Sequence, residues 1–342
     1  MNEFWKQVNN TQITPLATLD SSVINGNAHI LCPLSDDSIL HLSGPDAEKF
    51  LQGQITCDVR QISATQSSMG AACTAKGKMV ALFQLVMDSS QNDPGYLLRV
   101  PTSTAASFLA HINKYIVFSK ASVSISKEIS VVGLFAGNNT SIADTKLPEE
   151  SGATVANGRI ILTRVAQHTP LFEVYGTPAD LIEFFRSINT PTLASNHATW
   201  RSIEIYYGIP RLEITHIDKY VPQNFNLHYL NAISFNKGCY TGQEIVARIK
   251  YLGREKKQLR VMQSELANTP PPSSQSVVGA AIENSEHEKT GTVLSCSEII
   301  DGKIYLTVML NLNDNNHDTA YFTPALNNNP LQLVELSYIA KS

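Results

Sequence analysis

At 342 residues the chain exceeds one ordinary domain and suggests two or three. A hydrophobic share of 43%, a charged share of 16% and a net charge of −4 fit a globular protein and exclude a disordered or fibrous chain. No run approaches the roughly 20 apolar residues of a membrane span. The opening Met1-Asn2-Glu3-Phe4-Trp5-Lys6 lacks the basic and apolar regions of a signal peptide, which predicts the cytoplasm.

Residues 37–42 read as a short strand and 44–53 as a helix, with Pro45 in the first turn and Gly53 at the stop. The continuous apolar run 79–86 reads as a buried strand, and 96–100 as another. Thr102 or Ser103 caps a helix reaching about Tyr115, with Phe108, Ile112 and Tyr115 on one face. Strands at 122–125 and 131–135 follow, so the alternation predicts a sheet with helices on one face. A second unit then begins. It has strands at 160–165 and 171–175, a helix at 178–188 burying Leu181, Phe184 and Phe185, and a helix at 198–207 carrying Trp200. Two such units fit a duplicated α+β core, although no self-similarity demonstrates a repeat.

Lys237-Gly238-Cys239-Tyr240-Thr241-Gly242-Gln243-Glu244 is the most informative stretch. Thr241 and Glu244 have capping-box spacing, which predicts a helix from Thr241 with Ile245, Ile249 and Leu252 on its inner face and Gly253 as the stop. Cys239 would then lie beside unsatisfied backbone N–H groups, with Lys237 adding a cation, and both favour a thiolate. Cys239 is the candidate nucleophile, or transient iron–sulfur ligand, and Lys237 its electrostatic partner. Each neighbour also has a plainer reading. Glu244 closes the capping box, Tyr240 packs under the loop, and Arg248 pairs with Glu244 one turn away. Gln243 has no evident structural duty and is read as ligand-facing, while Gly238 and Gly242 permit close approach or positive φ.

Residues 248–260 carry Arg248, Lys250, Arg254, Lys256, Lys257 and Arg260 against Glu255 alone. Such a strip binds phosphate, polyglutamate or RNA, or else is a solvated helix end. The stretch 269–274 is a proline-rich turn or linker. Strand-like runs at 277–282, 292–295, 304–310 and 331–338 then predict a small antiparallel barrel or sandwich. The five cysteines are scattered with no C-x-x-C pair, and the nine histidines form no ligand pair. Neither a disulfide framework nor a metal site is expected, and Cys57, Cys73 and Cys296 read as structural.

The octapeptide with Ile245-Val246-Ala247-Arg248 resembles the signature of the YgfZ family of folate-binding proteins related to tRNA modification. Gly44-Pro45-Asp46-Ala47, the run from Phe50 to Thr56, the run from Cys73 to Met79, and Lys114-Tyr115-Ile116-Val117-Phe118-Ser119-Lys120 agree with it. So do Trp200 with Gly208-Ile209-Pro210, and Val221-Pro222-Gln223 with Asn226-Leu227. The resemblance spans about residues 37–292 and extends to the aminomethyltransferase (T-protein) of the glycine cleavage system.

It implies a three-domain ring around a folate cleft. A first α+β unit would comprise residues 1–54 plus 136–250, a second 55–135, and a C-terminal β-barrel 251–342. It further implies binding of tetrahydrofolate or a derivative and support of iron–sulfur enzyme maturation or repair, the tRNA methylthiotransferases among them. Cys239 takes the family cysteine's role, Trp200 the folate-stacking role in place of core packing, and Tyr240, Gln243, Arg248 and Asn226 complete the cofactor site. Two departures stand out. Met79-Val80-Ala81-Leu82 is apolar where the aminomethyltransferase keeps an acidic pair, and Ser38 replaces a tryptophan found in some members. The competing functions are a tetrahydrofolate-dependent aminomethyl or one-carbon transferase, and a tRNA-binding module using the basic strip. Neither membrane nor DNA is an expected partner.

Overall fold

The computed structural model describes residues 3–88, 95–167, 169–253, 255–266, 274–312 and 320–339. Three large β-sheets organise the described residues. The first has seven strands, in the spatial order Ile13–Pro15, Thr192–Ala194, His29–Pro33, Ser130–Phe135, Leu171–Gly176, Ile160–Arg164 and Thr154–Asn157. The second has five, in the order Ser68–Cys73, Met79–Asp88, Gly95–Pro101, Asp37–Ser43 and Ser122–Ile125. The third runs Ala281–Glu283, Lys289–Cys296, Lys303–Asn311, Lys257–Glu265 and Gln332–Val334.

Alternation of side chains across each strand explains the apolar runs. In Met79–Asp88, Ala81, Phe83 and Leu85 face the core beneath the helix Thr102–Asn113, while Met79, Leu82 and Val86 face the central core. The first sheet is likewise covered twice. Leu31, Leu134, Phe172 and Val174 pack under the helices Glu3–Val8 and Pro178–Arg186, and Ile30, Phe135 and Tyr175 meet the helix His197–Tyr206. The central core also takes Val261, Leu294 and Tyr338 from the C-terminal unit, so it joins all three sheets.

The α+β class holds, and several finer expectations change. The third sheet is an open ladder of five strands, supplemented by isolated bridges at Glu283–Phe322 and Tyr321–Leu331, in place of a closed barrel. The boundaries at 54/55 and 135/136 cut across pairing. Asp37–Ser43 pairs with Gly95–Pro101 inside the second sheet, and Ser130–Phe135 pairs with His29–Pro33 inside the first. Residues 277–282 are split between the end of a short helix, Ser274–Val277, and the strand Ala281–Glu283. The strand expected over 331–338 is confined to Gln332–Val334. The helix Thr102–Asn113 has Pro101 at its cap with no side-chain bond, so neither Thr102 nor Ser103 caps it. The linker expected at 269–274 lies outside the described residues up to position 273. Among the described residues no helix is long and apolar enough to cross a membrane, and no cluster of metal ligands forms.

A buried charge network ties the units together. Arg99 of the second sheet meets Asp37 at 2.5 Å, Glu173 of the first sheet at 2.6 Å and Glu204 of the helix His197–Tyr206 at 3.8 Å. Arg211 pairs with Asp37, and Arg201 with Glu204. Burial works to raise the Asp37 pKa, yet the two guanidiniums outweigh it and hold the carboxyl at about 2. Glu173 is raised because burial outweighs Arg99, and Tyr175 donates a hydrogen bond to it.

Candidate functional site at the octapeptide and its cavity

The octapeptide is fastened to the turn that follows the helix Ala47–Gln52. Lys237 Nζ donates to the Ile55 and Cys57 carbonyl oxygens, each at 2.8 Å, and Thr241 N–H donates to Gly53 O at 3.1 Å. Lys237 is buried, and desolvation pushes its pKa down to about 8 even though Cys57 and Asp58 work the other way. Its ammonium also lies 5.1 Å from the centroid of the buried Tyr240 ring, whose hydroxyl burial makes harder to ionise. Tyr240 therefore packs under the loop. Cys239 is the exposed cysteine of this stretch, while Lys237 spends its donors on the carbonyl groups of a neighbouring segment.

The helix begins at Gln243, not Thr241. Gly242 occupies the cap in the left-handed region at φ +88°, with no side-chain cap bond, so the Thr241–Glu244 capping box does not form. Thr241 Oγ1 instead donates to Gln54 Oε1 at 3.4 Å, and Glu244 is exposed. A Cβ on Gly242 would lie 2.6 Å from Thr74 O and 2.9 Å from Cys73 Cβ, so the loop touches the turn of the second sheet through bare backbone. That turn uses Gly77 at φ +70°, where a Cβ would meet Ile245 at 2.8 Å. Of the expected inner face, Leu252 is exposed, and Val246 is the fully buried residue. Gln223 anchors the helix by donating to Val246 O at 2.6 Å.

The remaining candidates separate from one another. Trp200 is fully enclosed in the central core, packed on Gly133, and is not in the wall of the cavity beside the octapeptide. Asn226 is buried with φ +60° and binds the C-terminal unit. Its amide donates to Leu259 O at 3.0 Å and to the Tyr338 hydroxyl, and its oxygen accepts from Gln258. Gln243 is half-buried at the first helical position, and Arg248 is exposed without an ion pair to Glu244 among the described residues. The basic strip is divided between two elements. Arg248 and Lys250 ride on the helix Gln243–Leu252, Lys257 and Arg260 belong to the strand Lys257–Glu265, and Arg254 lies outside the described residues.

Beside the octapeptide lies a cavity of about 540 Å³. Its wall takes Cys57 and Asp58 from the second unit, Gly152 and Val165 from the first, and the segment ending at Asn236, directly before Lys237. Lys250 and Tyr251, from the last turn of the octapeptide helix, close the other side. Lys250 Nζ stands 4.1 Å over the Phe235 ring, and Tyr251 meets Phe235 edge-on at 6.2 Å. His228 Nε2 lies 3.3 Å from the Glu255 carboxylate. Burial, helped by Lys250, draws the His228 pKa down to about 4, and burial lifts Glu255 to about 7. At neutral pH the imidazole is therefore uncharged, so the contact is not an ion pair there. Burial pushes the Cys57 thiol up to about 11, tempered by Lys237, so it is held protonated.

Met69 also borders a much smaller cavity, edged by Gln84, Arg99 and Glu204. Gln84 donates to Ser67 Oγ at 2.9 Å, linking the two walls, while Gln84 Oε1 and Arg99 Nε have no hydrogen-bond partner.

Phe235 and Tyr251 escaped the sequence reading, Cys57 was read there as structural only, and Lys250 was read as one member of the basic strip. Phe235-Asn236 directly precedes the octapeptide, which is the one local hint. The charges Arg99 and Glu173 were legible in principle, as lone charges inside apolar strand runs.

No family model matches the chain. A tRNA-modifying protein YgfZ of Colwellia psychrerythraea is 32% identical over 283 residues, covering 82% of this chain and 85% of that protein. Those of Aliivibrio fischeri (strain ATCC 700601 / ES114; 32% over 311 residues, covering 89% and 91%) and Escherichia coli O157:H7 (31% over 297 residues, covering 85% and 88%) agree. The crystal structure of the glycine cleavage system aminomethyltransferase T from Bartonella henselae superposes with a TM-score of 0.70 at 15% identity, covering 92% of this chain and 88% of that one, so the fold is shared. With relatives matched at this identity over more than four-fifths of both lengths, the chain belongs to the family of the tRNA-modifying proteins YgfZ.

Proposed function

We propose that the chain binds tetrahydrofolate or a derivative in the 540 Å³ cavity and supports tRNA modification by maintaining iron–sulfur enzymes such as the methylthiotransferases. The observation that carries this reading is the cavity's place, lined by the residues directly before the octapeptide, Phe235 and Asn236, and by Lys250 and Tyr251 at the end of the helix that follows it. Its volume falls in the roughly 300–1,000 Å³ range of small-molecule sites. Phe235 and Tyr251 offer ring faces to a planar ligand, and Lys250 offers a cation to the carboxylates of a glutamate tail. Trp200 has no part in this site, because its ring is closed inside the core.

Cys239 acts outside the cavity, as an exposed thiol beside it that meets a macromolecule or a cluster. Lys237 positions it by clamping the loop to residues 55 and 57. The strand start Met79-Val80-Ala81-Leu82 is buried and apolar, so it provides no carboxylate for one-carbon transfer by the aminomethyltransferase route. The division of the basic strip between helix and strand argues against a tRNA module built on it.

Calorimetric titration with tetrahydrofolate, paired with assay of methylthiolated tRNA in a strain lacking the gene, tests the reading. Phe235→Ala with Lys250→Ala weakens folate binding by about tenfold or more. Cys239→Ala binds folate like the wild type yet leaves the tRNA unmodified. Unchanged affinity in the first variant removes the cavity assignment, and full rescue by the second removes the thiol's role.

A further inference from the structure

The segment between the helix Thr102–Asn113 and the outer strand of the second sheet is the most apolar exposed stretch on the molecule. Phe118 is 99% exposed and Val117 70%, both on the single turn Ile116–Phe118, with Tyr115 before them and Ile125 after them also exposed. Isolated exposed apolar side chains are ordinary, but a near-contiguous group in sequence marks a contact surface. The strand that follows, Ser122–Ile125, ends the order of the second sheet. Its inner side pairs with Asp37–Ser43, and among the described residues no strand pairs with its outer side. Lys114, Lys120 and Lys127 stand along this segment, and its own sequence carries no carboxylate until the exposed Glu128 that follows Lys127. The carboxylate that reaches the segment, Asp46, accepts the Lys120 backbone N–H at 2.7 Å. A ladder edge open among the described residues, apolar side chains beside it and a mainly basic fringe together specify a complementary partner.

We propose that this edge, with the Val117–Phe118 turn, docks an extended, acidic segment of a protein partner that carries apolar side chains at alternate positions. The partner's backbone extends the second sheet past Ser122–Ile125, its apolar side chains cover Val117 and Phe118, and its carboxylates meet the three lysines. The proposal rests on the reading that the chain serves protein clients. None of these residues lines the cavity beside the octapeptide, so failure here leaves folate binding standing.

The probe is a fluorescein-labelled octapeptide alternating Asp or Glu with Ile, Val or Leu, titrated with the full-length protein by fluorescence polarisation. Saturable binding that weakens with salt is expected, and Phe118→Ser weakens it by about tenfold. The Lys114→Glu, Lys120→Glu double variant weakens it comparably and flattens the salt dependence. All these side chains lie outside the cores, so thermal melts of the variants match the wild type. The same peptide N-methylated at alternate amides loses binding, because methylation removes ladder donors without touching the protein. Equal binding of the methylated peptide, equal binding by Phe118→Ser, or no binding at all overturns the proposal. So does a single-stranded RNA octamer that binds this patch more tightly than the peptide.

Discussion

Gly242 and Gly238 lie four residues apart in one loop and have opposite tolerances. At Gly242 the backbone stands at φ +88°, and a Cβ would sit 2.6 Å from Thr74 O, an atom fixed by its own turn. Gly242→Ala therefore combines left-handed strain with a clash against backbone, and costs about 1–3 kcal/mol of stability. At Gly238 a Cβ meets nothing within 4 Å, and φ is not positive. Gly238→Ala is thus expected to leave the urea midpoint within experimental scatter. Equal midpoint shifts for the two variants would contradict the loop geometry described above. The contrast also explains the mistaken helix start. Thr241 and Glu244 have the right spacing for a capping box, but Gly242 must turn left-handed to reach Thr74, and that turn displaces the start by two residues.

The helices and strands meet through charge as well as through apolar packing. Arg99 sits in a strand of the second sheet, Glu173 in a strand of the first and Glu204 on a helix, all essentially enclosed. Arg99→Met strands Glu173 without its cation and leaves Asp37 with Arg211 alone, and the expected loss is about 3–5 kcal/mol, read from urea denaturation. Replacing Arg99 and Glu173 together with apolar residues is expected to recover part of that loss, which separates an uncompensated charge from lost packing. The strands themselves were largely legible, because Met79–Asp88, Gly95–Pro101 and Leu171–Gly176 announce themselves as β-rich apolar runs. Their partners were not. Nothing in the local pattern of residues 37–43 says that they pair with Gly95–Pro101 and not with the first sheet, since pairing is decided by distant packing. The same limit applies to the site. Cys239 and Lys237 stand in a recognisable string, whereas the cavity arises only when Cys57, Gly152 and Tyr251 converge from three distant segments of the chain.

Across the whole molecule, one central core receives side chains from all three sheets, among them Ile30, Met69 and Val261. Phe225 and Leu227 are fully buried, and Asn226 between them is bonded to residues 258 and 259 of the C-terminal unit. Calorimetry is therefore expected to find a single cooperative transition, and a chain ending at residue 253 to lose it, because that core is then laid open. Two resolved transitions in the full-length protein would show that the shared core does not couple the units. The packing also has an optical side. The two tryptophans, Trp5 and Trp200, are 3% and 0% exposed and sit against opposite faces of the seven-stranded sheet. Tryptophan emission, excited beyond the tyrosine band, therefore originates wholly at that sheet, shielded from water, and the other two sheets contribute none of it. A quencher dissolved in the solvent finds no indole to collide with until the first sheet opens.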